Sequence, residues 1–262
     1  MHHGAVDTLG CLVTTVLVRR PGPLLPQGLL THMERTEVDY PTALEQWHGY
    51  VTVLERNGWT VDHVDSADDC PDAVFVEDTV VVFGDLAVIT RPGADIRQPE
   101  IIGTERAIRR HMNRVVHIEA PASLDGGDVL KVGSTVYVGL SERTNPAAVD
   151  QLHRFLPDRS IIPVPVTKVL HLKSAVTALP DGTVIGHEPV IDDASSFARF
   201  LAVPEETGSA VVDLGDGKLL MAADCPGSVE VVRAQGFEVV TVDISEFQKL
   251  EGCVTCLSDR IR

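Results

Sequence analysis

The run Thr79-Val-Val-Val-Phe-Gly-Asp-Leu-Ala-Val-Ile-Thr90 decides the fold. Two apolar, largely β-branched stretches flank Gly84-Asp85, and glycine accepts the positive φ that a two-residue hairpin turn requires. The pattern recurs along the chain. Residues 129–132 and 135–140 flank Gly133-Ser134, 175–179 and 183–186 flank Pro180-Asp181-Gly182, and 210–214 and 218–222 flank Gly215-Asp216-Gly217.

Helical spacing and a short strand follow several of these hairpins. Ile101, Ile108 and Met112 share a helix face and precede an apolar stretch at 115–118. Asn145-Pro146 reads as an N-cap with proline at the first helical position, ahead of Val149, Leu152 and Leu156 and a strand at 161–166. Val229 and Val232 precede Gly236 and a strand at 238–242; Leu44, Trp47, Val51 and Leu54 precede Gly58 and a strand at 61–64. The unit is hairpin, helix, strand. Four copies are visible, and residues 12–18 begin a fifth. Residues 191–208 are the least regular and read as a loop or a degenerate helix. Arranged radially, such units build a propeller whose loops meet near a central axis. An open α/β sheet is the ordinary alternative, which periodicity alone does not exclude. No low-complexity linker divides the chain, so residues 1–262 are expected to form a single α/β domain.

The bulk numbers narrow the function. With 262 residues, 44% hydrophobic and 23% charged, the chain can bury a full core without metal or disulfide staples. A net charge of −16 disfavours nucleic acid, whose phosphates demand cations, and suits a small cationic partner. The apolar runs are far shorter than the ~20 residues of a membrane span. The start, Met1-His-His-Gly4, shows no signal peptide, and His2 and His3 read as a mobile tail. Five scattered cysteines do not form a disulfide framework and fit a reducing cytoplasm.

Several motifs carry chemistry. Cys256 lies in Glu251-Gly-Cys-Val-Thr-Cys-Leu-Ser258 and offers a thiol nucleophile. With Cys253 it also makes Cys-x-x-Cys, but a redox pair opens a helix after a strand and a structural zinc site needs a second ligand pair; neither context is present. His171, in Leu170-His-Leu-Lys173, can move protons near neutral pH, though a histidine opening an apolar strand is commonly structural. Glu77-Asp78 and Asp125-Gly-Gly-Asp128 place acids at strand starts in successive repeats, pointing to one shared central site. In a strand only one of Glu77 and Asp78 faces inward. Arg97 and Arg143 can clamp a carboxylate, or simply lie on the surface.

Taken in order, Pro71-Asp72-x-x-Phe75-Val-Glu-Asp78, Ile89-Thr-Arg-Pro-Gly93, Leu124-Asp-Gly-Gly-Asp128, Arg143-Thr-Asn145, Leu170-His-Leu-Lys173 and Thr255-Cys256 resemble the dimethylarginine dimethylaminohydrolase family of the guanidino-modifying amidinotransferase superfamily. The resemblance spans essentially the whole chain, with residues 21–30 where the family carries a mobile flap. It implies a five-bladed α/β propeller of the pentein type. It implies Cys256 as nucleophile, His171 as general acid/base and Asp125 as the acid supporting the histidine. It places Asp72, Glu77 and Asp78 around the guanidinium and α-amino ends of a small cationic substrate, Arg97 and Arg143 at its carboxylate, and Leu25 and the Leu250 carbonyl in contact with it. It implies no metal and no organic cofactor, and leaves the oligomeric state open. Arginine deiminases usually add a helical domain for which 262 residues leave no room. An agmatine deiminase has no need of a carboxylate clamp, and a ribosome anti-association propeller would lack the cysteine and histidine.

Overall fold

The computed structural model describes residues 14–262; the His2-His3 tail, Cys11 and the start of the expected fifth unit lie outside them. The backbone forms five sheets of three strands each. In chain order, β1 (Thr15–Val18) leads through α1 (Tyr40–Arg56) to β2 (Thr60–His63). The second unit is β3 (Val80–Phe83), β4 (Leu86–Ile89), α2 (Ile101–Ile108) and β5 (Arg114–His117). The third is β6 (Val129–Val132), β7 (Thr135–Leu140), α3 (Pro146–Phe155) and β8 (Ser160–Pro165). The fourth opens with a single helical turn, α4 (Leu172–Ala175), then β9 (Val176–Ala178), β10 (Val184–Gly186) and β11 (Phe200–Ala202). The fifth is β12 (Val212–Gly215), β13 (Lys218–Ala222), α5 (Pro226–Arg233) and β14 (Glu238–Val242), followed by α6 (Ser245–Gln248) and β15 (Asp259–Ile261).

One topology repeats five times. The first strand of each sheet pairs antiparallel with the middle one, as Val80 with Ile89 and Phe83 with Leu86. The middle strand pairs parallel with the third, as Leu86 with Arg114, because a crossover returns the chain to the same end. The first sheet keeps the rule with a borrowed strand: β15 supplies its antiparallel member, Thr15 facing Ile261 and Leu17 facing Asp259. The fifth hairpin is thus assembled from both ends of the described chain, and the ring closes. Residues of β3, β6, β9, β12 and β15, one strand from each sheet, line a cavity of about 470 Å³. These are the inner strands of a five-bladed α/β propeller, and the cavity is its axis.

Apolar side chains join each blade to the next. Val81, Phe83 and Val88 pack with Val129, Val136 and Leu152. Leu130 and Tyr137 pack with Val176 and Val184. Leu17 and Val64 pack with Val80 and Ile89. Val16 and Trp47 share a cluster with Leu219 and Met221. Local signals hold where they are strong. Asp39 caps α1 by accepting the Thr42 N–H at 2.9 Å, and Gly58 ends that stretch at φ 85°. Asn145 does precede α3, but its side chain accepts from Ser123 N and donates to Pro121 O instead of capping. The irregular segment 191–208 is neither plain loop nor helix, since it contains β11.

Glu77 and Asp78 lie in the 3-10 turn Val76–Thr79, not in a strand, so the two-residue alternation fails and both are buried. His171 likewise precedes a helical turn, not a strand directly. Such turns lead into the inner strands: Gly126–Asp128 before β6, α4 before β9, and 254–257 before β15. The acids, the imidazole and the thiol are therefore delivered to one end of the axis. No helix among the described residues is long and apolar enough to cross a membrane.

Leu17 is fully buried in β1, between the borrowed strand and the second blade. Leu17→Ala is expected to lower the unfolding free energy by ~2–5 kcal/mol, read from the urea midpoint at unchanged m-value.

Candidate active site

A narrow cleft is lined by Leu29, Asp72, Phe75, Asp78, Arg97, Arg143, Leu170, His171, Leu250, Glu251, Gly252 and Cys256. It brings together seven residues expected at the site: Asp72, Asp78, Arg97, Arg143, His171, Leu250 and Cys256. Asp125 stands directly behind His171, its Oδ2 3.0 Å from Nε2.

Two expected residues lie elsewhere. Leu25 sits in the 3-10 turn Leu25–Gln27 with its side chain in the apolar core, and Leu29 lines the cleft in its place. Glu77 faces the axis: Oε2 accepts from Thr255 Oγ1 at 2.8 Å, and Oε1 pairs with Lys173 Nζ at 2.7 Å. These contacts join the turns before β3, β9 and β15 beneath the cleft. Lys173 and Thr255 flank His171 and Cys256 in sequence, but their structural use is invisible without the fold.

The acid–base cluster is almost dry. His171 is 3% exposed, with Nδ1 3.7 Å from Asp78 Oδ1. Burial alone would lower its pKa, but Asp78, Asp125 and Asp128 outweigh burial and raise it to about 9. Burial would raise Asp78, yet His171, Arg97 and the Gly127 N–H hold it at about 2. At neutral pH the pair is imidazolium and carboxylate. Backbone contacts fix both groups. Gly127 N donates to Asp78 Oδ1 at 2.9 Å, and a Cβ on Gly127 would lie 2.7 Å from both Asp78 Oδ1 and the His171 ring. Asp128 accepts the Leu172 N–H at 2.9 Å, tying the turn that carries His171 to the third blade. Asp125 Oδ1 accepts the Gly93 N–H at 2.8 Å.

The two arginines differ. Arg97 donates from Nε and Nη2 to Glu100 at 3.0 and 2.9 Å and from Nη1 to Asp78 at 2.7 Å, and it reaches the Asp72 and Phe75 carbonyls. Its donors are occupied by protein acceptors, including Glu100, three residues on and overlooked in the sequence. Arg143 is 9% exposed and forms no salt bridge among the described residues; its one side-chain hydrogen bond among them is Nη2 to Thr31 Oγ1 at 3.4 Å. The donor atoms of Asp78, Asp125 and His171 cluster within 4.8 Å, but Arg97 already supplies cationic charge to the two carboxylates.

The loop over the cleft is pinned by acids. Asp72 accepts the Leu29 N–H at 3.1 Å through both oxygens, and Glu251 accepts from Thr31 N and His32 N at 2.8 and 2.6 Å. Glu251 adopts φ 59°, a left-handed conformation uncommon outside glycine and asparagine. Cys256 Sγ lies 3.3 Å from Cys253 Sγ. The two thiols titrate together: the S–H···S contact draws Cys253 down to about 7 and pushes Cys256 up.

This fold and charge arrangement defines the class of guanidine-modifying propeller enzymes. The family model described as arginine deiminase matches residues 55–213. The chain is 58% identical over 248 residues to an N(G),N(G)-dimethylarginine dimethylaminohydrolase of Streptomyces coelicolor, covering 94% of this chain and 96% of the relative. It is 32% identical to the Pseudomonas aeruginosa enzyme of the same name over 94% and 98% of the two chains. A structure of the Pseudomonas aeruginosa protein complexed with citrulline superposes with a TM-score of 0.87 at 31% identity, covering 94% of this chain and 98% of that one. The chain belongs to the dimethylarginine dimethylaminohydrolase family.

Replacing Asp78 by Asn removes the strongest charge holding His171 protonated. The His171 pKa is expected to fall from about 9 toward the ordinary histidine value, followed by NMR titration of the imidazole. An unchanged titration would mean that Asp125 and Asp128 suffice.

Proposed function

We propose that this enzyme, as one catalytic domain, hydrolyses Nω-methylated arginines to citrulline and a methylamine through a covalent Cys256 intermediate. The observation that carries the substrate assignment is Arg143, a nearly buried guanidinium lining the cleft without a carboxylate partner among the described residues. Such a cation calls for an anion from outside. Asp72, also in the cleft, suits the neighbouring α-ammonium, and Asp78 suits the guanidinium. Arg97, saturated by Glu100 and Asp78, acts in this reading by positioning Asp78 rather than as an equal half of the clamp.

The chemistry follows from the charges. In the resting cleft the Cys256 thiol keeps its proton, because the contact with Cys253, burial and the nearby acids all oppose a second negative charge. A bound guanidinium reverses that balance, and the thiol loses its proton to solvent water, since His171 is already protonated, leaving the thiolate. Sulfur adds to the planar carbon held by Asp78. Imidazolium His171 gives its proton to the departing amine, leaving a thiouronium. The now neutral imidazole, held by Asp125, takes a proton from water, which displaces sulfur and yields citrulline. The Leu250 carbonyl and Leu29 frame the substrate beneath the loop. A reducing cytoplasm suits this chemistry, and the four described cysteines are all free.

Incubation with asymmetric dimethylarginine, monomethylarginine, arginine and agmatine, with citrulline and released amine followed by mass spectrometry, tests the reading. Turnover of agmatine in preference to dimethylarginine overturns it. Cys256→Ser is expected to abolish turnover, whereas Cys253→Ser retains it. His171→Ala is expected to lower kcat by ~10²-fold or more; an effect confined to KM would make His171 a binding residue.

Arg143→Ala is expected to cost ~2–5 kcal/mol in kcat/KM for dimethylarginine. It should also narrow the preference over agmatine, which has no carboxylate. Equal discrimination by both enzymes would show that Arg143 does not read that group.

A further inference from the structure

Cys253 lies beside the cleft, and the proposed chemistry does not use its sulfur. It is half-buried and lines a second cavity of about 410 Å³ with His32, Met33, Lys168, Ser174 and Gln248. Cys256 opens into the substrate cleft instead. Leu170, Glu251 and Gly252 line both spaces and form the wall between them. The two sulfurs meet at 3.3 Å across this wall. The Cys256 N–H donates to the Cys253 carbonyl at 3.1 Å, so residues 253–256 form a turn. A turn brings its first and last Cα atoms within ~7 Å, and a disulfide spans ~4.4–6.8 Å. The spacing that identifies neither a thioredoxin-like site nor a zinc site thus places two free thiols in bonding register.

We propose that Cys253 and Cys256 are a modification site for hydroperoxides, closing to a disulfide that reversibly switches hydrolysis off. The oxidant enters through the cavity beside Cys253. The Cys253 thiolate, which accepts hydrogen bonds from Cys256 and Thr255, attacks a peroxide oxygen. The O–O bond breaks, the departing oxygen leaves as water after protonation, and Cys253 becomes a sulfenic acid. Cys256 sulfur then attacks Cys253 sulfur; the S–O bond breaks and a second water leaves. Two thiol protons and two electrons pass to one hydrogen peroxide. The disulfide leaves no thiolate to add to a guanidinium, and it shields Cys256 from irreversible over-oxidation. A dithiol restores both thiols by exchange. The loss of hydrolysis rests on Cys256 being the nucleophile; formation of the disulfide does not.

The test uses the full chain and hydrogen peroxide. The wild type is expected to lose the mass of two hydrogens and two titratable thiols, to yield a peptide linking Cys253 to Cys256, and to lose turnover of dimethylarginine until dithiothreitol restores it. Cys253→Ser is expected to form no such species and to show no dithiothreitol-reversible loss. Cys256→Ser is expected to hold Cys253 as a sulfenic acid that dimedone traps. A wild type that keeps both thiols, gains oxygen without losing hydrogen, or joins a different pair of cysteines overturns the proposal. So does Cys253→Ser losing and regaining turnover as the wild type does. If the protein proves inactive on dimethylarginine, the mass and thiol readouts still decide whether the disulfide forms.

Discussion

The antiparallel pairing of β15 with β1 is the constraint on which the other arrangements depend. Three residues, Asp259–Ile261, complete the first sheet and supply the inner strand that lines the axis beside β3, β6, β9 and β12. Without that pairing the first blade would have two strands and an open edge, and the turn at 254–257 would have no fixed place. With it, Cys256 is set three residues before an inner strand, as Asp78 stands just before β3 and Asp128 just before β6. The site is therefore a property of the repeat. Each blade sends its connecting turn to the same end of the axis, and different residue types on those turns divide the chemistry.

Holding these groups together carries an electrostatic cost. Glu100, Arg97, Asp78, His171 and Asp125 form a buried chain of alternating sign, with three carboxylates against two cations. Burial of any one alone would be prohibitive; mutual pairing and backbone N–H groups from Gly93 and Gly127 hold the set. The excess negative charge of this chain still favours one more cation, and Asp78 is the carboxylate of the chain that lines the cleft. The contact with Cys253 and burial push the resting Cys256 thiol up, and Asp78 adds to them.

Much of this was legible in the sequence, and the illegible parts have physical reasons. Hairpins centred on Gly84 and Gly133 are local: both glycines adopt positive φ, and the flanking apolar runs name the strands. β11 and β15 are three residues long and have no periodicity to read; they exist because a neighbouring strand offers a free edge. The chemical types at the site were readable, but their directions were not. Glu77 and Asp78 diverge according to the geometry of a 3-10 turn, which sends one to the axis and the other to the cleft. Arg97 and Arg143 look equivalent until Glu100 is seen to occupy one of them. The 3-10 turn rolls Leu25 into the core, while Leu29 lines the cleft, a difference no local pattern announces.

The order of the elements also bears on how the protein is made. During synthesis the chain emerges from its amino end, and contacts between distant segments wait for the later one. Asp78, Asp125 and His171 leave the ribosome well before Cys256, and the strand that positions Cys256 follows it. The nascent polypeptide can gather its acidic and imidazole groups while still attached, but the turn that carries Cys256 stays unplaced until β15 pairs with β1. The pairing of β15 with β1, which fixes the turn at 254–257, joins the two ends of the described chain and is therefore the last long-range contact to become possible.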